Sequence, residues 1–367
     1  MRAVAERVDV DVRDLKAFAF TIPTDKPESD GTIEWSSTTL VLVEASAGDT
    51  TGFGWTYGAA AAAALIRDVL APLVVGRSAL DVPATNLALR AALRNVGYRG
   101  IGATAVSAVD VALWDLKAKL LNTSLVALLG AVRDAVPVYG SGGFCSYTDA
   151  ELATQLAGWV EQGIPRVKMK VGREPHRDPG RVRTAREAIG GDAELYVDAN
   201  GALTVKGAVR CGQAFDESRV SWFEEPVSSD DRDGLRRLRE LLPAGMEVAA
   251  GEYAYTACDF HDLLGCVDCL QADVTRCGGI TGVLAAGVLA AASELDLSGH
   301  TAPTIHAHAL CAVERVRHLE WFVDHVRIER RYFDGFLEPA NGVVRPDRSR
   351  PGLGVEPRVD DLEAFAA

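Results

Sequence analysis

The sequence predicts an α/β protein in which an eight-stranded (β/α) barrel follows an amino-terminal α+β unit. Two observations carry this prediction: short apolar strands that end in polar residues recur from residue 136 onward, and a mixed strand and helix pattern precedes them. The chain has 367 residues, which fits one barrel with an attached unit or two to three ordinary domains. With 48% hydrophobic and 24% charged residues, its composition is that of a globular protein.

Residues up to about 130 predict the α+β unit. Val8, Val10 and Val12 alternate with polar residues, and residues 40–44 continue this strand pattern beyond a polar loop at residues 23–31. Apolar residues at helical spacing then predict helices over residues 59–73, 84–94 and 103–120. The last helix carries an apolar stripe that excludes Asp110 and Asp115.

From residue 136 the pattern changes to alternating strands and helices. The predicted strands span residues 136–139, 166–170, 194–198, 220–224, 247–252, 267–273, 295–300 and 318–321. From Lys170 to His300 the polar residues that close successive strands lie 26 residues apart on average, which is the length of one strand, one helix and two loops. Eight such units form a barrel whose strand ends converge on one mouth, where catalysis takes place. A doubly wound open sheet is the alternative, but no Gly-x-Gly-x-x-Gly follows a first strand to support it.

The charge balance excludes two classes of partner. Acidic residues outnumber basic ones 51 to 38, so neither a nucleic acid nor an anionic membrane surface is an expected partner. The uncharged stretch at residues 278–293, rich in Gly and Ala, is shorter than the ~18 apolar residues that a membrane span needs. Charged residues at positions 2, 6, 7, 9 and 11 leave no apolar segment for a secretory signal, and we therefore expect a cytoplasmic protein.

The seven cysteines favour the same compartment. An odd number spread along a long chain does not indicate a disulfide framework and fits a reducing environment. Cys266 and Cys269 form a lone Cys-x-x-Cys pair whose thiols would point to opposite faces of a strand. Buried free thiols are therefore favoured over a redox or metal site.

Three carboxylates close successive predicted strands: Asp198, Glu224 and Glu252. Side by side at a barrel mouth they would repel one another and partly protonate. A hard divalent cation removes this conflict, and an all-oxygen site that keeps water positions open suits Mg²⁺. Singly, each carboxylate is more often a solvated strand end or a helix cap, so the prediction of a metal site depends on all three together.

Further polar residues occupy the remaining strands. Lys168 and Lys170 lie on one face of their strand, because side chains two residues apart in a strand point the same way. Each ammonium lowers the pKa of the other, which helps one of the two lysines act as a base near neutrality. The alternative is that both lysines neutralise carboxylates in the core.

Asp273 and His300 close neighbouring strands, so that the carboxylate can fix the tautomer of the imidazole and raise its basicity. Glu320 would close the eighth strand, where a protonated carboxylic acid could donate to a developing oxyanion. Four histidines do not fall at the regularly spaced ends of the predicted strands and are interpreted as structural: His306, His308, His318 and His325.

Together these elements resemble the enolase superfamily and, within it, the mandelate racemase subgroup. The matching motifs are Lys168-x-Lys170, Asp198-x-Asn200, Glu224-Glu225-Pro226, Gly251-Glu252, Asp273 with Gly278-Gly279-Ile280-Thr281-Gly282, and His300 followed by Glu320; residues 105–119 and 128–130 also resemble the family. Each motif is weak alone, but their order and barrel spacing along nearly the whole chain are specific.

The resemblance implies a domain organisation. Residues 1–132 would form an α+β capping domain, residues 133–325 a (β/α)7β TIM-type barrel, and residues 326–367 a segment that returns to the cap. The polar loop at residues 21–35 and the Tyr57-Gly58 region would exclude water and contact the distal end of the substrate. The family commonly forms symmetric oligomers, so a homo-oligomer is expected.

The resemblance also implies how a substrate carboxylate is held. Asp198, Glu224 and Glu252 would bind Mg²⁺, and the metal together with Lys168 would bind the carboxylate. In this superfamily a Lys or His base works with Mg²⁺ that stabilises an enediolate.

Proton transfer would fall to residues on two sides of the α-carbon. Lys170 would act on one face, and His300, oriented by Asp273, on the other. Glu320 would hydrogen-bond the carboxylate oxygen that gains charge.

These parts support more than one reaction on a small carboxylate substrate. The polar capping loop favours a hydroxylated substrate, so dehydration of an acid sugar to a 2-keto-3-deoxy acid is preferred over racemisation or epimerisation of a 2-hydroxy acid. A metal-dependent barrel hydrolase or a two-carboxylate glycosidase is a more remote alternative. For an amidohydrolase, His306 and His308 lie in the wrong place, because that metal pair is expected on the first strand. The last alternative is a protein that binds its ligand without catalysis, and the position of Lys168 and Lys170 on one face of a barrel strand argues against it.

Overall fold

The computed structural model describes residues 10–367, so Val8 and residues 2–9 of the stretch considered for a signal lie outside the described part. The cap is a three-stranded antiparallel sheet in the order β1-β2-β3, followed by helices. Its strands are β1 (Asp14–Ser29), β2 (Glu34–Ala47) and β3 (Thr50–Tyr57). Its helical segments are α1 (Ala61–Leu65), a π-helical turn (Ile66–Leu70), α2 (Ala71–Val74), α3 (Val82–Ala92), α4 (Ile101–Leu120) and α5 (Leu125–Leu129).

The polar stretch at residues 23–31 is mostly strand, and the prediction of a loop there was wrong. β1 pairs with β2 as far as Pro23 opposite Ser37, shifts register, and pairs again at Glu28 and Ser29. An irregularity beside Pro23 is expected, because proline has no N–H to donate to the ladder. The Trp35 indole N–H donates to the Glu28 carboxylate at 3.0 Å, which stabilises the resumed pairing.

Helix α4 packs across the cap sheet. Gly52 and Gly54 of β3 allow this close approach: a Cβ at Gly54 would lie within van der Waals overlap of the α4 backbone at Ala108 and Ala112. Asp110 on α4 accepts hydrogen bonds from both the backbone N–H and the hydroxyl of Thr281, which belongs to the barrel. Through this buried contact, α4 joins the cap to the barrel.

The barrel consists of eight parallel strands in chain order, and pairing of its last strand with its first closes it. The strands are β4 (Val136–Gly142), β5 (Arg166–Lys170), β6 (Glu194–Asp198), β7 (Val220–Glu224), β8 (Glu247–Ala250), β9 (Cys269–Ala272), β10 (Asp296–Gly299) and β11 (Val316–Phe322). The seven intervening helices are α6 (Asp149–Glu161), α7 (Asp178–Ile189), α8 (Val205–Asp216), α9 (Arg232–Leu241), α10 (Ala257–Leu263), α11 (Gly279–Ala292) and α12 (Pro303–Cys311). The predicted barrel is confirmed, and its closure excludes an open doubly wound sheet.

Aromatic side chains fill the lower part of the barrel interior. Tyr139, Tyr196 and Trp222 are buried there, and the His318 ring packs against all three. His318 therefore has the structural position expected of it. Cys269 belongs to the same interior cluster, whereas Cys266 is buried in the larger core outside it, so these two free thiols do point to opposite sides.

The segment after the barrel returns to the cap. It contains α13 (Val323–Tyr332), β12 (Phe333–Asp334), β13 (Val343–Val344), β14 (Glu356–Pro357), α14 (Val359–Leu362) and a 3₁₀ turn (Glu363–Phe365). The backbone N–H of Ala367 donates to the carbonyl of Ala19 in β1. None of the described helices is long and apolar enough to cross a membrane.

Candidate active site

A cavity of about 260 Å³ lies between the cap and the carboxyl ends of the barrel strands. The cap contributes Asp30, Ile33, Trp35, Ser37, Thr38, Thr39, Tyr57 and Gly58. The barrel and the segment after it contribute Lys170, Asn200, Glu252, Tyr253, Arg276, His300, Thr301, Glu320, Phe322, Asp324 and His325. The cap thus supplies eight of the nineteen described lining residues, and five of these eight belong to the two regions predicted to cover the mouth.

Three buried carboxylates meet at the base of this cavity. Asp198 and Glu224 are the last residues of β6 and β7 and lie side by side in register, and Glu252 follows β8 by two residues. One carboxylate oxygen from each lies within 4.8 Å of the others. Burial raises the pKa of Glu224, because its negative charge is poorly solvated.

The donor set of this triad fits a hard divalent cation. All three residues are buried and offer carboxylate oxygens, and no nitrogen or sulfur ligand belongs to the set. Oxygen-only coordination is what Mg²⁺ prefers in proteins.

The two lysines of β5 occupy different positions relative to the cavity. Lys168 is fully buried behind the triad, with Nζ 2.7 Å from Glu224 Oε1 and 2.8 Å from Glu320 Oε1, and it does not line the cavity. Lys170 lines the cavity, with Nζ 2.5 Å from Asp198 Oδ2. Its part in proton transfer and the carboxylate-binding part of Lys168 stay predictions.

The expected lowering of the lysine pKa values was wrong for this arrangement. Burial and the ammonium of Lys168 both act to lower the pKa of Lys170, but the carboxylate of Asp198 outweighs them and raises it. The pKa of Lys168 is raised in the same way by Glu224 and Glu320, against the effect of burial.

Asp273 and His300 form the predicted pair. His300 Nδ1 lies 2.8 Å from Asp273 Oδ2, while the other oxygen of Asp273 accepts hydrogen bonds from the backbone N–H and hydroxyl of Thr275. Nε2 of His300 lies 2.9 Å from Glu252 Oε2. Burial opposes protonation of His300, but Glu252, Glu320 and Asp273 outweigh it and raise its pKa to about 10.

Glu320 lies on β11 and is held on both oxygens. The Ser141 hydroxyl donates to Oε1 at 2.5 Å, and the Thr301 backbone N–H donates to Oε2 at 3.2 Å. Burial raises the pKa of this carboxyl, but Lys168 and His300 outweigh it and hold the pKa below its ordinary value. The expectation that Glu320 is a protonated acid was therefore wrong in this arrangement, because two cationic groups lie against it.

Comparison with known proteins assigns the chain to a family. Residues 19–130 match the family model "Mandelate racemase / muconate lactonizing enzyme, N-terminal domain", and residues 151–362 match "Enolase C-terminal domain-like". The chain belongs to the mandelate racemase/muconate lactonizing enzyme family of the enolase superfamily. The predicted family is confirmed.

Three similar proteins illustrate the range of this family. The 3,6-anhydro-alpha-L-galactonate cycloisomerase of Streptomyces coelicolor is 34% identical over 86% of this chain and 87% of its own. A mandelate racemase/muconate lactonizing enzyme-like protein from Rubrobacter xylanophilus is 54% identical, with a TM-score of 0.96 over 97% of this chain and 100% of its own. The L-talarate/galactarate dehydratase of Salmonella typhimurium, solved with Mg and L-lyxarohydroxamate, is 27% identical, with a TM-score of 0.91 over 100% of this chain and 95% of its own.

Sequence reasoning missed several residues that line the cavity of this family member. Arg276 follows Asp273 by three residues, and its guanidinium lies 3.3 Å from both Asp273 Oδ2 and Glu252 Oε1. His325 was interpreted as structural, yet it lines the cavity and stacks on Tyr57 with ring centroids 3.5 Å apart. A charged residue just after a predicted strand was a usable signal for Arg276, whereas the stacking of His325 joins two residues far apart in sequence.

The other two unassigned histidines are buried away from the cavity lining. His306 accepts from the Val274 backbone N–H at 3.1 Å and donates to the Thr301 carbonyl at 2.8 Å. His308 is fully buried on α12. Neither is among the cavity-lining residues, in agreement with a structural role.

Proposed function

We propose that the protein is a Mg²⁺-dependent acid sugar dehydratase, which removes the proton α to a carboxylate and then releases water from the β-carbon. The observation that carries this proposal is that Lys170 and the His300–Asp273 pair face one cavity beside the acidic triad. Lys170 ends the second barrel strand and His300 follows the seventh, so they approach a central ligand from different sides.

The triad would hold Mg²⁺ through Asp198, Glu224 and Glu252. When bound, the cation neutralises these carboxylates and stabilises the negative charge that develops on the substrate carboxylate. Lys168 lies behind the triad and supplies a fixed positive charge to the same region.

The Asp198 carboxylate holds Lys170 as an ammonium, so once a bound cation neutralises that carboxylate, Lys170 would lose a proton to solvent. The neutral amine would then accept the α-proton as the substrate C–H bond breaks. His300, protonated and oriented by Asp273, donates its Nε2 proton to the β-hydroxyl as the C–O bond breaks, which releases water. The resulting enol loses its O–H proton and gains a proton at the β-carbon, which yields a 2-keto-3-deoxy acid. The Thr301 backbone N–H donates to Glu320 Oε2, which lies 3.5 Å from His300 Nε2. In this position Glu320 helps to hold the imidazole in place.

The cap side of the cavity supports a hydroxylated substrate. Ser37, Thr38 and Thr39 present hydroxyl groups, and Asp30 presents a carboxylate. An aryl acid would cover these partly buried groups without hydrogen-bonding to them, and that costs binding free energy.

A second candidate shares the first step. The 34% identical relative is named a cycloisomerase of an anhydro sugar acid. In this protein the same α-proton abstraction could expel a ring oxygen in place of a hydroxyl group. Racemisation would instead return a proton to the α-carbon through His300 or Lys170.

A substrate screen in D₂O with Mg²⁺ separates these reactions. We expect sugar acids to yield 2-keto-3-deoxy products, detected by NMR, and mandelate-like acids to be neither racemised nor exchanged. His300→Asn should abolish turnover, whereas His261→Asn, at a side chain 74% exposed on α10, should not change it. Ring opening without loss of water would establish the cycloisomerase, and inversion as the dominant reaction would establish the racemase.

We also propose a cytoplasmic location and a symmetric homo-oligomer. The seven free cysteines support a reducing compartment. Val132 and Val288 are more than half exposed and line one apolar groove with Leu284, which supports an association surface. Light scattering of the purified protein would test the oligomer, and a monomer at micromolar concentration would contradict it.

A further inference from the structure

The side of the cavity formed by the cap and by the start of α13 differs chemically from the catalytic side. We define this distal wall as Asp30, Trp35, Thr38, Asp324 and His325. None of these residues belongs to the ion-paired cluster around the triad. The wall therefore contacts the part of a substrate farthest from the reacting carbons.

Asp324 makes the distal wall acidic. Its Oδ2 accepts hydrogen bonds from the Trp35 indole at 3.2 Å and from the Thr38 hydroxyl at 3.1 Å. The buried carboxyl of Glu28 lies beside it and accepts from the same indole. Burial and the neighbouring Asp324 carboxylate raise the pKa of Glu28 to about 9, so Asp324 carries the negative charge of this pair at neutral pH. Arg327 reaches Asp324 Oδ1 only at 3.8 Å and does not line the cavity.

Asp30 adds a second carboxylate to the wall. Its Oδ1 accepts all three of its hydrogen bonds, from the backbone N–H and hydroxyl of Thr32 and the N–H of Ile33. Oδ2 is therefore the oxygen available to a ligand. It can accept a hydrogen bond from a hydroxyl group but repels an anion.

His325 supplies a neutral donor to this wall. Its Nδ1 accepts from the Ala302 backbone N–H at 3.2 Å, which leaves the proton of the neutral ring on Nε2. Burial lowers the pKa of His325 to about 3, so the ring donates a hydrogen bond without carrying positive charge.

The two basic side chains that line the cavity are committed elsewhere. Lys170 pairs with Asp198, and Arg276 pairs with Asp273 and Glu252. Among the described lining residues, the distal wall has no arginine or lysine to receive an anion. A buried carboxylate without a cationic partner is strongly disfavoured, and one placed against like charges is disfavoured further.

From this wall we infer, resting on the proposed function, that the substrate carries a single carboxylate and that its distal end is an uncharged polyhydroxy chain or ring. Sugar diacids are excluded by charge, and Asp30 and Asp324 are the residues that determine this specificity. Hydroxyl groups match the wall, because Asp30 accepts, His325 donates, and Thr38, whose own proton goes to Asp324, accepts.

Matched pairs of six-carbon acids test the inference. D-gluconate with D-glucarate, and D-galactonate with galactarate, differ only in whether the distal carbon is an alcohol or a carboxylate. Kd is measured by calorimetry on the Mg²⁺-loaded protein, and kcat/KM is measured for every acid that reacts. We expect the better-bound monoacid to bind at least tenfold more tightly than its diacid.

Charge-removing variants identify the cause of this preference. Asp324→Asn and Asp30→Asn should each reduce the ratio of diacid Kd to monoacid Kd severalfold. Asp134→Asn makes the same change at an 87% exposed side chain just before β4, at the amino end of the barrel, and should leave the ratio unchanged.

The outcomes separate this inference from the proposed function. Diacids that bind as tightly as monoacids would overturn the inference, as would a ratio that neither wall variant changes. Turnover of diacids in preference to monoacids would overturn it while leaving the dehydratase proposal intact. Preferential binding of monoacids without elimination would support it and refute the dehydratase proposal, and no binding of any acid would overturn both.

Discussion

Lys168 is the most informative single residue to remove, because it compensates the charge of the acidic cluster from within the protein. Its ammonium is fully buried and lies 2.7 Å from Glu224, 2.8 Å from Glu320 and 3.6 Å from Asp198. One such contact is worth about 6 kcal/mol of Coulomb energy at an effective dielectric constant of about 20. The desolvation cost of the ammonium offsets much of this energy, and breaking a buried pair costs about 3–5 kcal/mol net.

Lys168→Met should therefore lower the free energy of unfolding by about 3–5 kcal/mol in the presence of a chelator. Mg²⁺ should stabilise the variant more than the wild type, because it binds the same carboxylates after they have lost their internal cation. Urea unfolding followed by circular dichroism, with EDTA and then with excess Mg²⁺, measures both effects.

Lys16→Met is the matched control, because Lys16 pairs with Asp14 at 3.3 Å while both side chains are more than half exposed. Its unfolding free energy should change by less than about 1 kcal/mol, and Mg²⁺ should stabilise it as it does the wild type. The reasoning is refuted if Lys168→Met is as mild as the control, or if Mg²⁺ stabilises the variant less than the wild type.

Three further predictions follow from other parts of the molecule. Exhaustive chelation should abolish turnover and lower the thermal midpoint, with both restored by Mg²⁺; full activity in EDTA would contradict the metal site. Burial lowers the folded-state pKa of His306 to about 4, below its unfolded value near 6.5, so acidification through this window should cost up to about 3 kcal/mol of stability as the unfolded state takes up the proton. His306→Gln should lose less stability than the wild type between pH 7 and pH 5 in urea melts, and equal losses would refute this. Gly54→Ala should destabilise by at least about 1–3 kcal/mol through overlap with α4, whereas Gly158→Ala, with open space on α6, should be neutral or stabilising; thermal melts that rank them the other way would overturn the packing argument.

The barrel was predictable from sequence because strand spacing and strand-end polarity are local properties. β5, β6 and β7 end at the predicted residues Lys170, Asp198 and Glu224. β8 ends at Ala250, two residues before the predicted end, because Gly251 adopts a φ of +142° and packs against the backbone of Gln271. A glycine just before a polar strand end was the available signal for this early ending.

The electrostatic state of the site was not predictable in the same way. A sequence shows that Lys168 and Lys170 share a face, but it does not show how many carboxylates contact each ammonium. The same limit applies to Glu320, whose ionisation depends on two cations from other strands. The cap strands were obscured for a different reason. After the irregularity at Pro23, β1 resumes pairing with β2 at Glu28 and Ser29, and one face of an antiparallel pair can be polar, so the sequence there shows no apolar alternation.

The hydrogen bond between Ala367 and β1 has a consequence for how the active cavity is assembled. Strand β1 is completed by residues nearly 350 positions later in the chain, with the entire barrel between them. Closing a loop ten times longer than a typical barrel repeat costs about 2 kcal/mol more in chain entropy, and contacts of such long range form slowly. During synthesis the barrel strands and their carboxylates can therefore be in place before the completed cap sheet covers them and excludes water. The protein would acquire its metal-binding residues first and its substrate selectivity last.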